Sequence, residues 1–253
     1  RTSYLTGLRP GATGVLREDD SYDDLVPAPA RSLPEILHRY GFRTANIGPL
    51  FGNPGRACRP LSAFDFFADA NGLEPHEADR QRAQLAAEIL AEMASAKRPF
   101  FMSLGLSTLQ SPLQCPRSCV EVVLDALDRA RLSNDTIVVI FSDSGFHPDE
   151  CGRWHGGRLL EPSTRVPLLM RIPRITPRQI VCDEIVELVD LLPTLCELLM
   201  VPTPDRLEGQ SFVPLLRDPL QPWKRAAFTI YATRDRVGRS VRTKRWRYTD
   251  WQS

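Results

Sequence analysis

The 253-residue sequence has neither a long apolar segment nor a surplus of one charge. No apolar run approaches the roughly 20 residues that a helix needs to cross a bilayer, so we expect no membrane span. Lys and Arg number 32 against 31 Asp and Glu, which leaves a formal net charge of +1. A chain this close to neutral gives no electrostatic argument for binding nucleic acid or an acidic membrane surface. Any anion-binding site must therefore be local.

The six cysteines lack the regular spacing of a metal site. Cys115 and Cys119 are close in sequence, but no second Cys or His pair follows at a matching interval. We therefore interpret the pair as two neighbours on a helix in preference to half of a zinc site.

The composition is typical of one sizeable α/β domain. Hydrophobic residues make up 42% of the chain and charged residues 25%, which is ordinary for a globular protein with a large core. The 22 prolines favour a loop-rich α/β protein over a helical bundle, because proline interrupts helices.

The segment 136–167, TIVVIFSDSGFHPDECGRWHGGRLLEPSTRVP, is the most informative part of the sequence. Five apolar or β-branched residues, Ile137 to Phe141, predict a central strand that is covered on both faces. The strand ends abruptly and delivers Asp143 into a loop that contains Gly145. In open α/β sheets, ligands gather at the carboxyl ends of strands. Asp143 is therefore the first candidate for a functional residue.

Helices and strands alternate through the preceding part of the chain. Apolar periodicity predicts helices over Leu33–Tyr40, Glu77–Ala96 and Cys119–Arg131. A short strand is expected after the first of these helices, and a buried strand is expected in the segment 98–107, RPFFMSLGLS. This alternation favours an α/β sheet.

Several motifs resemble those of the sulfatases in order and spacing. They are an Asp-x-Gly after a buried strand, a Gly-x-Trp, the run EPSTRVP at 161–167, RTSYLTGLRP at the start and RSVRTKRWRYTDW near the end. The resemblance implies an α/β fold of the alkaline-phosphatase-like type, a sandwich with a mostly parallel central sheet flanked by helices. The first strand of that sheet is expected to be missing. It also implies a catalytic-domain core over residues 1–218 and the start of a small C-terminal subdomain over 219–253.

The resemblance assigns candidate site residues one by one. Arg1 aligns with the Arg that supports the family's formylglycine, a nucleophile whose position precedes residue 1 and is therefore not in this chain. His155 and Arg158 are the other catalytic candidates, although both are also interpreted as solvent-facing loop residues. Asp143 and Ser144 take the positions of calcium ligands, and Ser144 stands where relatives carry His. Calcium requires about 6–8 oxygen ligands, so we expect its binding here to be weak or absent.

Other positions depart from the family's pattern. Pro49, Gly52, Ser107, Gln110 and Gly156 stand where relatives carry the Lys and His residues that contact sulfate. The prediction is a sulfatase-family protein, similar to arylsulfatase or iduronate-2-sulfatase, whose relatives hydrolyse sulfate esters of carbohydrates or aryl alcohols. Little or no activity is expected of this chain. The alternative is a non-catalytic protein that binds a sulfated glycan or a partner. By resemblance, the compartment would be periplasmic, secreted or lysosomal.

Three further motifs are given structural interpretations. Glu161 and Arg165 are expected to anchor the EPSTRVP loop through an ion pair or backbone contacts. Asp190 is interpreted as a helix-start or loop-anchoring residue. The basic run near the C-terminus could form a nucleic-acid surface, but strand alternation with the charges on a solvated face explains it better. The run comprises Arg239, Arg242, Lys244, Arg245 and Arg247.

Overall fold

A computed structural model describes residues 1–17, 20–27, 30–50, 60–70, 72–107, 117–145, 147–148, 154–155, 159–175 and 180–252. The chain forms two compact units. The continuous unit comprises Arg31–Thr136, and the discontinuous unit combines Arg1–Ala30 with Ile137–Ser253.

The helices, in chain order, are α1 (Thr2–Thr6), α2 (Pro10–Thr13), α3 (Tyr22–Leu25), α4 (Leu33–Arg39), α5 (Pro75–Ser95), α6 (Arg117–Arg129), α7 (Glu161–Thr164), α8 (Leu191–Leu198) and α9 (Val213–Arg217). The strands are β1 (Arg43–Ile47), β2 (Phe66–Ala68), β3 (Phe100–Leu104), β4 (Val138–Phe141), β5 (His147–Pro148), β6 (Trp154–His155), β7 (Leu168–Arg171), β8 (Ala226–Ala232), β9 (Val237–Thr243) and β10 (Arg247–Gln252).

The continuous unit contains a parallel sheet with the strand order β2-β1-β3. Helix α4 precedes β1 and begins with a capping box, in which Ser32 and Glu35 satisfy each other's backbone donors. Helix α5 connects β2 to β3 and buries one face against the sheet. The core of this unit comprises Ala45, Ile47, Ala86, Ile89 and Met93, with partly buried Phe66, Leu85, Phe100, Met102, Leu104 and Val123 packed around it.

The discontinuous unit contains antiparallel strands. Strand β4 pairs with β7, so that Phe141 lies opposite Leu168. The C-terminal sheet, defined as β8, β9 and β10, has the order β10-β9-β8. A buried cluster of Leu191, Phe212 and Leu215 packs with partly buried residues of α1, β4 and β7, including Tyr4, Val139, Phe141, Leu168 and Met170. This core places α1 against the strand that leads to Asp143.

The fold class and the main elements are confirmed. The protein is α/β, with a parallel sheet flanked by helices. The three helices predicted from periodicity agree with α4, α5 and α6 within a few residues at their ends, and the predicted buried strands agree with β3 and β4. Among the described residues, no strand pairs with the outer edge of β3, and β4 has β7 as its one partner. No described helix is long and apolar enough to cross a membrane.

The predicted division at residues 218 and 219 stays a prediction. Residues from 219 onwards carry the C-terminal sheet, and these strands belong to the same compact unit as Arg1–Ala30.

Candidate functional site at the carboxyl end of β4

A tight loop, Ser142 to Gly145, follows β4. The backbone N–H of Ser142 donates to the carbonyl of Pro167 at 3.3 Å, which continues the pairing with the β7 side. The Ser142 hydroxyl donates to the carbonyl of Ser144 at 2.6 Å. These bonds turn the chain sharply, and the side chain of Asp143 is 34% exposed.

Arg1 contacts Asp143 across this loop. The Nε of Arg1 donates to Oδ2 of Asp143 at 2.7 Å, and the two side chains are 35% and 34% exposed. An ion pair this exposed contributes only about 0–1 kcal/mol to stability. Its importance is chemical, because it places a planar cation that can bind oxyanions at the end of a sheet strand.

Tyr4, one turn along α1 from Arg1, fixes this helix against β4. Its ring meets that of Phe141 edge-on, with the ring centroids 5.0 Å apart. Burial raises the pKa of Tyr4 well above its ordinary value, and the charge of Arg1 opposes the shift. The phenol therefore stays protonated at neutral pH and is a packing residue.

Gly145 sits directly against α7. Its N–H donates to the carbonyl of Ser163 at 2.8 Å. A Cβ atom at this position would lie 1.9 Å from the carbonyl oxygen of Pro162, a distance that no side chain tolerates. Residue 145 must therefore be glycine for the loop to rest on α7.

Glu161, the first residue of α7, binds two arginines of the C-terminal sheet. Arg242 donates from Nε at 2.9 Å and from Nη2 at 3.0 Å, and Arg247 donates from Nη2 at 2.7 Å. The hydrogen bonds from Arg242, together with Arg247, lower the pKa of Glu161 to about 2, although partial burial opposes the shift. The same contact raises the pKa of Arg242. Arg247 also donates to Oγ1 of Thr164 at 2.7 Å.

Sequence comparisons relate the chain to proteins of one kind. The family model described as "N-sulphoglucosamine sulphohydrolase, C-terminal" matches residues 150–252. "Extracellular sulfatase SULF-1 homolog" of Drosophila melanogaster is 36% identical over 117 residues, which are 46% of this chain and 10% of that protein. "Steryl-sulfatase" of Homo sapiens is 35% identical over 109 residues, or 37% of this chain and 19% of that protein. "Sulfatase" of Formosa agariphila is 29% identical over 327 positions and covers 86% of this chain and 62% of its own length. The matched relatives named above are sulfatases, in agreement with the resemblance that the sequence motifs show.

Solved structures share the fold. A protein in complex with its substrate D-glucosamine-2-N,6-O-disulfate matches with a TM-score of 0.77 and 14% identity, covering 98% of this chain and 79% of that one. The crystal structure of Ps i-CgsB matches with a TM-score of 0.78 and 18% identity, covering 100% and 74% of the two chains. The expected alkaline-phosphatase-like fold is thereby confirmed. The curated sulfatases named above are matched over less than two thirds of their own length.

The structure brings together some of the residues that the sulfatase resemblance singled out. Arg1 and Asp143 form an ion pair, and Ser144 follows in the same loop. His155 lies in β6, where its backbone pairs with His147 of β5. Arg158 lies outside the described residues, as do Gly52, Gln110 and Gly156. The catalytic roles of Arg1, His155 and Arg158 stay predictions.

The donors described around Asp143 fit a calcium ion poorly. Its Oδ2 already accepts from Arg1, whose positive charge opposes a second cation there. The carbonyl of Ser144 accepts from Ser142. Within the described ranges, no group of three or more His, Cys, Asp or Glu side chains could hold a metal ion. Calcium needs about 6–8 oxygen ligands, so we assign no chemical step to a metal at this loop.

The basic run near the C-terminus was only partly interpreted correctly from sequence. Arg239 is exposed in β9, as strand alternation predicts, and Lys244 and Arg245 are exposed in the turn between β9 and β10. Arg242 and Arg247 were wrongly placed on the solvated face. They are register partners in β9 and β10 and lie on the face that contacts Glu161.

The anchoring role predicted for Glu161 is confirmed, but with different partners. Its carboxylate binds Arg242 and Arg247, as described above. Arg165 contributes through its backbone, whose N–H donates to the Glu161 carbonyl at 2.8 Å.

Asp190 anchors a buried network that the sequence only partly indicated. Its carboxylate accepts from the N–H groups of Glu187 and Gln210, both at 2.8 Å, and it is 0% exposed. The ammonium group of Lys224 binds Asp190 and also Glu187, at 2.9 Å. Arg9 forms two hydrogen bonds with Glu187, at 2.5 and 2.7 Å. The anchoring role of Asp190 is confirmed, whereas its partners Lys224 and Glu187 carry no local sequence signal.

Ser107, one of the positions where the sulfatase pattern is lost, is held by a second buried network in the continuous unit. Its N–H donates to both carboxylate oxygens of Asp79, at 2.8 and 2.9 Å. Arg82 donates to the Ser107 hydroxyl, to Asp79 and to Asp69. Its guanidinium is therefore neutralised by two carboxylates, and the network is interpreted as structural.

The prediction that Cys115 and Cys119 are neighbours on one helix can be compared with the structure only at Cys119. Cys119 is buried in α6, whereas Cys115 lies outside the described residues. Cys196 is buried in α8, and burial raises the pKa of its thiol to about 11. This thiol is therefore protonated at neutral pH and unsuited to act as a nucleophile.

Proposed function

We propose that this chain binds sulfate esters of carbohydrates at the carboxyl end of β4, with little or no hydrolysis of its own. The observation that carries the proposal is the ion pair between Arg1 and Asp143, 2.7 Å apart at a strand end. It places a partly exposed guanidinium where ligands of α/β sheets gather. Guanidinium groups bind oxyanions through parallel N–H donors.

Low hydrolytic activity follows from the chemistry that sulfatases use. The family's nucleophile is a formylglycine made from a Cys or Ser that stands in a pattern with Pro and Arg. The 253 residues contain no Cys or Ser followed at that spacing by both Pro and Arg. Hydrolysis by these residues would therefore need another nucleophile, and the buried groups Tyr4 and Cys196 stay protonated at neutral pH.

Metal assistance is also expected to be slight. Asp143 and Ser144 offer one carboxylate, already engaged by Arg1, and a neutral hydroxyl as ligands. Sulfate recognition is therefore assigned to the guanidinium of Arg1, and calcium is not required for it. The relatives supply the ligand class, since one similar structure contains D-glucosamine-2-N,6-O-disulfate and another contains k-i-k-neocarrahexaose.

Calorimetric titration of the 253-residue chain with D-glucosamine-2-N,6-O-disulfate tests the binding half of the proposal. We expect saturable binding that persists in the presence of a calcium chelator. Unsulfated glucosamine is the matched control and should not bind. Absence of binding to both this disulfate and k-i-k-neocarrahexaose at millimolar concentration would reject a sulfated-carbohydrate site.

A chromogenic aryl sulfate tests the catalytic half. We expect no calcium-dependent release of the chromophore above the rate of an Arg1→Ala variant. Appreciable turnover that requires calcium would overturn the proposal and indicate that this chain hydrolyses sulfate esters.

A further inference from the structure

We propose that the Glu161 bridge, defined as the contacts of Glu161 with Arg242 and Arg247, positions the loop that carries Asp143. This inference rests on the proposed function, because it names the residues that keep the binding loop in shape. The bridge itself touches neither Arg1 nor Asp143 in any contact described above, so its residues act through α7.

The C-terminal sheet holds α7 rigidly. Arg242 and Arg247 are directly opposite each other in adjacent antiparallel strands, so the sheet presents them as a fixed pair. Both bind the Glu161 carboxylate, and Arg247 also binds Thr164 at the other end of the same four-residue helix. The two ends of α7 are therefore tied to one sheet.

Helix α7 supports the loop that carries Asp143 through contacts that allow little movement. The Gly145 N–H donates to the Ser163 carbonyl at 2.8 Å, and the Pro162 carbonyl fills the space where a Cβ of Gly145 would lie. Close-packed contacts transmit displacement instead of absorbing it. A shift of α7 would therefore move Gly145, which is two positions from Asp143.

The negative charge of Glu161 holds the two arginines together. Two guanidinium groups share one carboxylate, so neutralising Glu161 leaves two half-buried cations facing each other without a counter-ion. The Nη1 of Arg242 and the Nε of Arg247 are buried without hydrogen-bond partners among the described residues. Among the described residues Arg242 donates to Glu161 alone, whereas Arg247 keeps its hydrogen bonds to Thr164 and Ser240. Loss of the Glu161 charge should therefore push the two guanidinium groups apart and release α7 at its Glu161 end.

Hydrogen exchange at the Gly145 amide tests the inference without any ligand. We expect Glu161→Gln to accelerate this exchange by about tenfold or more, because the bond to Ser163 opens when α7 moves. Glu161→Asp, which keeps the charge, should restore part of the protection. The matched control is Glu184→Gln, which removes the ion pair of Glu184 with Lys244, outside α7. It should leave the Gly145 amide unchanged.

The Val241 amide, in the middle of β9, separates positioning from general support. Under the proposal its exchange rate is the same in the wild-type protein and in Glu161→Gln. Equal acceleration at Val241 and Gly145 would show that the bridge only stabilises the sheet, and would overturn the inference. Unchanged exchange at Gly145 would also overturn it.

A double-mutant cycle gives a second measurement. Gly145→Ala forces the loop away from Pro162, so adding Glu161→Gln to it should change the affinity for D-glucosamine-2-N,6-O-disulfate less than Glu161→Gln does alone. Full additivity would contradict a shared route through α7. If the wild-type protein binds neither this disulfate nor k-i-k-neocarrahexaose, the proposed function is rejected, and the exchange at Gly145 still decides whether the bridge positions the loop.

Discussion

The ammonium nitrogen of Lys224 lies 2.7 Å from both carboxylate oxygens of Asp190. It is also 2.9 Å from Glu187, and only 14% of the lysine side chain is exposed. Two buried carboxylates therefore depend on this one ammonium group, with Arg9 completing the charge balance at Glu187. Burial opposes ionisation of Glu187, but the hydrogen bonds that it accepts outweigh that effect and lower its pKa.

Removal of the Lys224 charge is expected to destabilise the protein strongly. Lys224→Met should lower the free energy of unfolding by about 3 kcal/mol, because it leaves Asp190 buried without its cation. Urea unfolding measures the loss. Lys244→Met is the matched control, since the side chain of Lys244 is 61% exposed in its pair with Glu184 and should cost less than about 1 kcal/mol. Equal losses in the two variants would contradict the buried network.

Acid should weaken the protein in part through Glu161. Its pKa is lowered from 4.5 to about 2 in the folded state, so its contribution is present above the unfolded pKa and is lost as the pH falls from about 4.5 towards 2. The side chain is 39% exposed, which limits the contribution to about 1 kcal/mol after screening. The difference in unfolding free energy between wild type and Glu161→Gln should therefore be larger at neutral pH than near pH 3. A difference that is independent of pH would exclude this role.

Gly209 is a position where a single methyl group should be costly. A Cβ there would lie 2.0 Å from the carbonyl oxygen of Val189, beside Asp190. Gly209→Ala should cost about 1–3 kcal/mol by forcing these backbones apart. Gly11→Ala provides the control, since a Cβ at Gly11 meets nothing within 4 Å. Thermal unfolding of both variants checks the prediction, and equal midpoints would show that the backbones near Val189 separate easily.

Opposite effects are expected from the two members of the ion pair at the β4 loop. Arg1→Ala should weaken binding of D-glucosamine-2-N,6-O-disulfate by about tenfold, because it removes a charge-assisted donor. Asp143→Asn should preserve or strengthen binding, since it removes a negative charge beside the anion. If calcium held by Asp143 bound the sulfate instead, Asp143→Asn and a chelator would both abolish binding. Titration of both variants at equal ionic strength distinguishes the two routes.

The sequence predicted those elements whose signal is local. The periodic apolar residues of α5 predicted a helix and the five-residue apolar run before Asp143 predicted a strand, and both elements were confirmed. The side chains of β4 are only partly buried, and among the described residues β7 is its one pairing partner. Asp190 was also interpreted correctly as a loop-anchoring residue, since its carboxylate accepts from the N–H groups of Glu187 and Gln210.

The partners of these elements could not be predicted in the same way. Glu161 binds Arg242, 81 positions away, and Arg9 binds Glu187, 178 positions away. Ion pairs between residues so far apart in sequence produce no periodic pattern from which they could be predicted. Strand alternation divides the basic run between two faces of the sheet but does not predict which face contacts a carboxylate. Arg242 and Arg247 were assigned to the solvated face for that reason.

The discontinuous unit has a consequence for the order in which the protein can fold during synthesis. Arg1 and Asp143 are separated by 142 positions, and the whole of the continuous unit lies between the two parts of the unit to which they belong. A ribosome therefore releases residues 31–136 before α1 can reach β4, α8 or its other neighbours that follow residue 136. Because long-range contacts form slowly, Tyr4 of α1 lacks its contact with Phe141 until β4 emerges. That interval is when chaperones or aggregation would act on this chain.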